Sequence, residues 1–193
     1  MKTPPQRKSR IGKRQASLTS PKFRPRRPTG SKVVFLDIDG VLNSRNTKNP
    51  RGFPYVVDSS LVTKLKSILR LTQAEVVLTS TWRYDPAGLF SAEFYGIPFI
   101  DVTPDLPHRP RRNEILIWLK KYPAVERFAV IDDEDDELDG LPLFQPSAAT
   151  GLTQPMARGI VRYLNGKTDC DMRASAVTRL VENLQAVLKR HPG

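Results

Sequence analysis

The chain has 193 residues, of which 39% are hydrophobic and 26% are charged, and this composition is typical of a globular domain of ordinary size. Its single cysteine, Cys170, excludes an internal disulfide, and no apolar run approaches the roughly 20 residues that a membrane-spanning helix needs. The N-terminus also lacks the apolar core of a secretory signal, so we expect a cytoplasmic protein with no membrane partner.

The net charge of +11 comes from the N-terminal segment. Residues 1–32 contain eleven Lys and Arg and no acidic residue, whereas the rest of the chain carries twenty residues of each sign. Frequent prolines and few apolar side chains predict that residues 1–31 form a disordered basic arm. Such an arm could bind nucleic acid through its phosphates. A solvated tail, a targeting peptide and residues upstream of the true start codon are the alternatives.

In chain order, short apolar runs alternate with helical patterns. Residues 33–36, 75–78 and 128–131 are typical of buried parallel strands, and residues 98–102 and 141–144 are weaker strand candidates. The helical patterns cover residues 60–71, 113–122 and 154–164. The alternation predicts an α/β fold with a mainly parallel sheet.

We place a catalytic domain at residues 32–167. An apolar stripe within residues 172–189 predicts a further helix, so residues 168–193 are expected to form a C-terminal helix that packs on the domain.

Polar residues follow each of the three strong strand candidates. Asp37-Ile38-Asp39-Gly40 follows the first, Thr79-Ser80-Thr81-Trp82-Arg83 follows the second, and Asp132-Asp133 follows the third. In an open parallel sheet the ligand site lies beyond the carboxyl ends of the strands, near the point where the strand order reverses. The three clusters are therefore expected to meet in one crevice.

Clustered carboxylates repel one another unless a cation holds them, and hard oxygen ligands suit Mg²⁺. We predict a magnesium site formed by Asp37, Asp132 or Asp133, and a backbone carbonyl near Asp39. Asp37 could then attack a phosphorus atom to give an aspartyl-phosphate. Asp39 could protonate the leaving oxygen and later activate water.

Several neighbours are candidates for binding the phosphate group. Thr79 and Ser80 offer hydroxyl and backbone donors, although helix capping would explain them as well. Arg83 could bind phosphate or form a structural ion pair. Asn43 could orient the substrate or form an Asx-turn, and Trp82 is interpreted as a packing residue rather than a base-stacking one.

The segment Val33-Val34-Phe35-Leu36-Asp37-Ile38-Asp39-Gly40-Val41-Leu42 resembles the first signature of the haloacid dehalogenase (HAD) superfamily. Thr79 at its strand end is similar to the second signature, and Asp132-Asp133 is similar to the fourth. The resemblance implies a Rossmann-like three-layer α/β/α sandwich, a magnesium cofactor, Asp37 as the nucleophile and Asp39 as the general acid/base.

The third signature of the superfamily is a lone Lys or Arg, for which Arg109, Arg111 and Arg112 are candidates. Arg112-Asn113-Glu114-Ile115 is similar to the Lys-x-Glu-Ile segment of polynucleotide kinase-phosphatases, and this similarity favours Arg112 over Arg111. The segment from Thr79 to Arg83, the Asp-Asp strand end and Gly151-Leu152-Thr153 further resemble a bacterial subgroup linked to RNA repair.

The connections after the first two strands are too short for a full cap domain, so we expect a minimal cap or none. An open site suits a phosphate on a large molecule, and the basic arm favours nucleic acid. The function predicted here is a Mg²⁺-dependent phosphomonoesterase that acts on nucleic-acid or nucleotide phosphate. The alternatives are a small-molecule phosphatase, with residues 43–57 and 82–95 as partial lids, and a nucleic-acid-binding adaptor with a vestigial magnesium site.

Overall fold

The computed structural model describes residues 23–135 and 138–166 of the chain. This part contains five β-strands, four α-helices and one short 3₁₀ turn. In chain order they are β1 Lys32–Leu36, α1 Ser59–Thr72, β2 Glu75–Leu78, the 3₁₀ turn Thr81–Tyr84, α2 Pro86–Phe94, β3 Phe99–Val102, α3 Arg111–Lys121, β4 Arg127–Ile131, β5 Leu143–Phe144 and α4 Gln154–Leu164. All five predicted strands and the three helices predicted before residue 167 are confirmed, with small shifts at their ends.

The five strands form one parallel sheet in the order β3-β2-β1-β4-β5. The central strand β1 pairs with β2 on one side and with β4 on the other, so Val34 lies beside both Val76 and Ala129. The chain builds outward from β1 through β2 to β3 and then returns to the other side of β1. The order therefore reverses between β1 and β4, where a parallel sheet of this kind opens a ligand crevice.

Helices cover both faces of the sheet and make three layers. Val34 and Val76 belong to the apolar core shared with α1 and α4. Val33 and Phe35 face the opposite side and pack under α3, where the rings of Phe35 and Trp118 meet edge to face at 5.4 Å between centroids. Each large apolar side chain buried in this way contributes about 1.5–3 kcal/mol to folding. The predicted Rossmann-like three-layer α/β/α sandwich is confirmed.

The structure adds α2, which the sequence pattern did not predict. Asp85 caps this helix by accepting a 2.8 Å hydrogen bond from the Ala87 amide, and Pro86 begins it. Gly88 lies so close to Trp82 that a Cβ atom there would collide with the tryptophan backbone. A glycine within the helix and an exposed phenylalanine, Phe90, obscure the apolar stripe that would have predicted α2 from the sequence. Gly88 is nevertheless the residue that allows α2 to pack against Trp82.

Neither connection that could hold a cap domain contains one. Residues 37–58, between β1 and α1, form turns only, and residues 79–98, between β2 and β3, contain the 3₁₀ turn and α2. Within the described residues the carboxyl ends of the strands are therefore open, as the length of these connections predicted.

One predicted boundary is wrong. Residues 23–31 were assigned to the disordered arm, but the structure places them along the sheet. The ring of Phe23 packs on Phe99 at 4.7 Å between centroids, and the Arg26 amide donates a 2.8 Å hydrogen bond to the Ile100 carbonyl. Few apolar residues mark this segment, and one partly buried ring with backbone hydrogen bonds is enough to hold it.

The rest of the predicted arm, residues 1–22, lies outside the described residues, as does the predicted C-terminal helix at residues 168–193. None of the helices in the described part is both long enough and apolar enough to cross a bilayer.

Candidate active site

The carboxyl ends of three neighbouring strands are joined by backbone hydrogen bonds that continue past the strands themselves. The Asp37 amide donates to the Ile131 carbonyl at 2.9 Å, and the Thr79 amide donates to the Leu36 carbonyl at the same distance. These bonds hold Asp37, Thr79 and Asp132, which directly follow β1, β2 and β4, at the same edge of the sheet. The convergence predicted from the strand ends is confirmed.

The carboxylates of Asp37, Asp132 and Asp133 form a cluster in which one oxygen of each lies within 4.8 Å of the others. Burial, and then the nearby charge of Asp132, raises the pKa of Asp37 from 3.8 to about 7. Burial also raises the pKa of Asp132 and that of Asp133. Three acids this close ionise together only when a cation offsets their charge, and oxygen donors of this kind suit Mg²⁺.

The turn after Asp37 is built so that the backbone comes close to Asp133. Gly40 has a φ of +69°, in the left-handed region, and a Cβ atom there would overlap the carboxyl group of Asp133. The neighbouring Ile38 and Val41 side chains are fully buried and anchor the turn in the core. The glycine of the first signature is thus required both by backbone conformation and by the approach of the third carboxylate.

Asp39 is not one of the three clustered carboxylates, although its charge contributes to the raised pKa of Asp37 and of Asp133, and its side chain is exposed. Its two oxygens accept separate hydrogen bonds, from Asn43 Nδ2 at 2.7 Å and from Trp82 Nε1 at 2.8 Å. The Asn43 side chain also accepts from the Gly40 amide at 2.8 Å and donates to the Val56 carbonyl at 3.0 Å. Both residues thus orient Asp39, a role that was assigned to neither Asn43 nor Trp82 from the sequence.

All of these bonds engage Asn43 with the protein, but none of them is the Asx-turn of the alternative interpretation, because its side-chain oxygen accepts from an amide three residues before it. The expected contact of Asn43 with substrate phosphate remains a prediction. Trp82 is 2% exposed and its ring packs edge to face on Tyr55 at 4.9 Å between centroids, so the packing interpretation fits this structure.

The two residues that end β2 differ in their environment. The Thr79 hydroxyl is buried and makes no hydrogen bond with any described atom. The Ser80 hydroxyl accepts a weak 3.4 Å hydrogen bond from the Trp82 amide and donates to Asp37, which lowers the pKa of that carboxyl against the larger effect of burial. A buried hydroxyl without a partner is costly, so Thr79 is the better candidate for binding a phosphate oxygen.

The structure brings Arg111, not Arg112, to the carboxylates. Both begin α3, but the Arg111 guanidinium donates to Asp132 Oδ2 and its Nη1 lies 3.8 Å from Asp37 Oδ1. No ion pair with a described carboxylate involves Arg112, whose Nε is buried without a partner. Adjacent residues on a helix point about 100° apart, so a motif similarity does not fix which of the two faces the carboxylates, and here it is Arg111. The assignment of Arg112 to the substrate phosphate stays a prediction.

Arg83 forms a structural ion pair rather than an open phosphate contact. Its Nη2 lies 2.6 Å from Glu114 Oε2, and the two side chains are only 4% and 5% exposed. Its Nη1 donates to the Ser80 carbonyl at 3.0 Å and to the Thr79 carbonyl. The predicted phosphate contact is corrected accordingly. Arg83 instead ties the end of β2 to α3, since the guanidinium fork reaches both elements at once.

The donor set fits a divalent cation and a phosphate group. The clustered carboxylates supply three hard oxygen ligands, the Thr79 hydroxyl is an unused donor, and Arg111 supplies a positive charge at the same point of the sheet. The predicted metal set also contained Asp39. Its carboxyl group is held by Asn43 and Trp82 instead, so only its backbone remains a predicted metal ligand.

The fold and the site define this chain as a phosphatase-type domain of the HAD superfamily. The family model described as the HAD domain in Swiss Army Knife RNA repair proteins matches residues 33–157, and the chain belongs to this family. The match covers every strand except the first residue of β1, and all the proposed site residues. No curated protein and no solved structure matches the chain.

Proposed function

We propose that the protein is a Mg²⁺-dependent phosphomonoesterase that acts through an aspartyl-phosphate at Asp37, with a phosphorylated nucleic-acid end as its substrate. The observation that carries the proposal is the cluster of Asp37, Asp132 and Asp133 at the point where the strand order reverses. The buried Thr79 hydroxyl, which has no described partner, lies at the neighbouring strand end.

Asp37, Asp132 and Asp133 are the residues that would hold the ion, with a backbone carbonyl near Asp39 as a further ligand. When bound, Mg²⁺ neutralises the carboxylates and polarises the oxygens of the phosphoryl group.

The first step forms a bond between a carboxylate oxygen of Asp37 and phosphorus, and it breaks the bond between phosphorus and the leaving oxygen. Asp39 gives its proton to that leaving oxygen, from the orientation that Asn43 and Trp82 impose. Arg111 and the Thr79 hydroxyl stabilise the negative charge on the phosphoryl oxygens.

The second step releases the phosphate. Asp39, now ionised, takes a proton from water as the water oxygen attacks the phosphorus of the aspartyl-phosphate. The bond between phosphorus and Asp37 breaks, inorganic phosphate leaves, and both carboxyl groups return to their starting states.

A nucleic-acid end is favoured as the substrate by three observations. The described part of the chain has no cap over the site, so a large molecule has access. The family description names RNA repair proteins. The N-terminal segment carries eleven basic residues and no acidic one within residues 1–32. A small-molecule phosphatase and a binding adaptor with a vestigial metal site remain the alternatives.

The test is phosphate release from a panel of substrates with and without Mg²⁺. The panel contains an aryl phosphate, mononucleotides, oligonucleotides with a 3′- or 5′-phosphate, and a phosphopeptide, and the Asp37→Asn protein is the control. Mg²⁺-dependent release that is fastest from an oligonucleotide supports the proposal. Equal turnover of mononucleotides and oligonucleotides overturns the nucleic-acid part. Oligonucleotide binding without release from any substrate supports the adaptor.

A further inference from the structure

A cavity of about 440 Å³ opens beside the carboxylate cluster. It is lined by Asp133, by Arg45 from the loop after β1, and by residues 145–149 from the loop after β5. Asp133 is therefore shared between the proposed metal site and this cavity. None of the roles described above uses the other lining residues.

The two loops that form the cavity are joined to each other by hydrogen bonds. The Arg45 amide donates to the Ala148 carbonyl at 3.0 Å, and Asn46 Nδ2 donates to the Ala149 carbonyl at 3.1 Å. Below them, the Leu152 amide donates to the Val41 carbonyl at 2.9 Å. These hydrogen bonds hold the two loops in place relative to the turn after β1 that carries the proposed catalytic residues. A binding subsite needs such a rigid support.

The cavity lining has the chemistry of a site for sugar and phosphate rather than for a base. The exposed Arg45 guanidinium makes no ion pair or side-chain hydrogen bond with any residue that the structure describes. Gln145 donates to the Asp133 carbonyl at 3.0 Å, which fixes its amide and leaves its oxygen as an acceptor for a hydroxyl group. No aromatic side chain lines the cavity, so stacking on a base is not offered there.

We propose that this cavity is a subsite for the nucleotide next to the reacting phosphate, in which Arg45 binds the adjacent phosphodiester of the substrate. The inference rests on the proposed function and names what part of a nucleic acid the site recognises. The guanidinium is a fork of donors that matches a phosphate group, and none of the described carboxylates, including that of Asp133 in the same lining, forms an ion pair with it. Asp133 belongs both to the carboxylate cluster and to the lining of the cavity, so the cavity lies next to the reacting centre.

The experiment compares a phosphorylated dinucleotide, with the phosphate at its preferred end, with the same dinucleotide whose internal linkage is an uncharged methylphosphonate. The wild-type protein is expected to prefer the charged linkage about tenfold in kcat/KM, because it gains a charge-assisted hydrogen bond. Arg45→Gln should lose this preference, and the slope of log kcat/KM against log salt should become shallower by about 0.7. Arg51→Gln is the matched control, since Arg51 is an exposed arginine of the same loop that does not line the cavity.

A preference for the charged linkage that is the same in Arg45→Gln and in the wild type overturns the subsite, and so does a wild type that has no preference. Equilibrium binding of both dinucleotides to the Asp37→Asn protein, with and without Arg45→Gln, separates the two proposals. An Arg45-dependent preference in binding supports the subsite even if no phosphate monoester is hydrolysed. A mononucleoside 3′,5′-bisphosphate provides a second phosphate without a nucleic-acid chain. If it binds better than the mononucleotide by the same Arg45-dependent factor, the subsite recognises a second phosphate rather than a chain, which overturns the claim about the substrate class.

Discussion

The indole nitrogen of Trp82 donates a 2.8 Å hydrogen bond to Oδ2 of Asp39. This contact connects the end of β2 to the second carboxylate of the turn after β1. Because Asn43 holds the other oxygen of Asp39, the carboxyl group is fixed in one orientation although it is exposed to solvent. In the proposed mechanism, Trp82 is therefore a positioning residue for the general acid.

Replacing Trp82 by phenylalanine should impair catalysis in a way that depends on the leaving group. The variant keeps a buried ring but loses the hydrogen bond, and a bond to a charged group contributes about 1.5–3 kcal/mol. We expect kcat/KM to fall roughly tenfold or more for a nucleotide, whose leaving alcohol needs a proton, by the same energetic argument. For an aryl phosphate with a good leaving group the fall should be much smaller. Steady-state kinetics on a series of leaving groups measures this difference.

Trp118→Phe is the matched control for this experiment. Trp118 is also 2% exposed, and its indole nitrogen also donates a 2.8 Å hydrogen bond to an aspartate, Asp101, on the other side of the sheet. Its loss should lower stability without changing the dependence on the leaving group. If both tryptophan variants lower turnover equally across the series, Trp82 contributes only to stability.

Arg111 and Arg112 allow a direct test of which arginine stabilises the transferring phosphoryl group. Arg111→Gln should lower kcat/KM by about 10²–10³-fold, which is typical for the loss of a donor that stabilises developing charge. Arg112→Gln removes the same charge from the next residue of α3 and should have a far smaller effect. Arg111→Lys should restore part of the activity, because the charge returns without the fork. The opposite ranking of the two glutamine variants would support the choice made from sequence similarity.

The buried pair of Arg83 and Glu114 should govern stability rather than substrate binding. Arg83→Met leaves a buried carboxylate without its partner, so we expect the free energy of unfolding to fall by about 3–5 kcal/mol. The double variant Arg83→Met, Glu114→Met should be more stable than either single variant, since no buried charge is left unpaired. Urea unfolding measures all three. A rise in KM for the Arg83 variant at unchanged stability would instead indicate a phosphate contact.

The shifted pKa of Asp37 predicts how metal-free stability depends on pH. The unfolded chain loses this proton near pH 3.8 and the folded protein near pH 7, so the folded state binds the extra proton between these values. Stability must then fall as the pH rises through this window. In EDTA, the melting temperature of the wild type should be lower at pH 8 than at pH 5, and Asp37→Asn should reduce that difference. Adding Mg²⁺ should stabilise the wild type most at pH 8.

The sequence predicted the sheet because the runs that form β1, β2 and β4 are almost wholly apolar and are followed directly by polar residues. That pattern contains both the strand and the position of its carboxyl end, so it also located Asp37, Thr79 and Asp132. Residues 23–31 were misassigned because their hold on the sheet depends on one ring, Phe23, and on backbone hydrogen bonds that leave no trace in composition.

The contacts between side chains could not be predicted in the same way. The choice between Arg111 and Arg112 depends on the rotation of α3 about its axis, and Arg83 could have faced either Glu114 or the open crevice. The bond from Trp82 to Asp39 joins residues 43 positions apart in the chain, and only the folded turn brings them together. The spacing of residues along one helix or strand predicts which of them share a face. Which side chains meet across two elements depends on how those elements pack, and the sequence pattern does not give that.

The most direct test of the account is to trap the phosphorylated enzyme. The protein is mixed with a ³²P-labelled substrate and Mg²⁺ and quenched in acid within one turnover. One portion is counted for protein-bound ³²P, and the other is reduced with borohydride, which releases the phosphate and converts the phosphorylated aspartate to homoserine, and is digested for mass spectrometry. We predict Mg²⁺-dependent ³²P labelling of the wild type and homoserine at position 37 after reduction, with neither in the Asp37→Asn protein. Full phosphate release by Asp37→Asn, or turnover by the wild type with the label on another residue, would contradict covalent catalysis through Asp37.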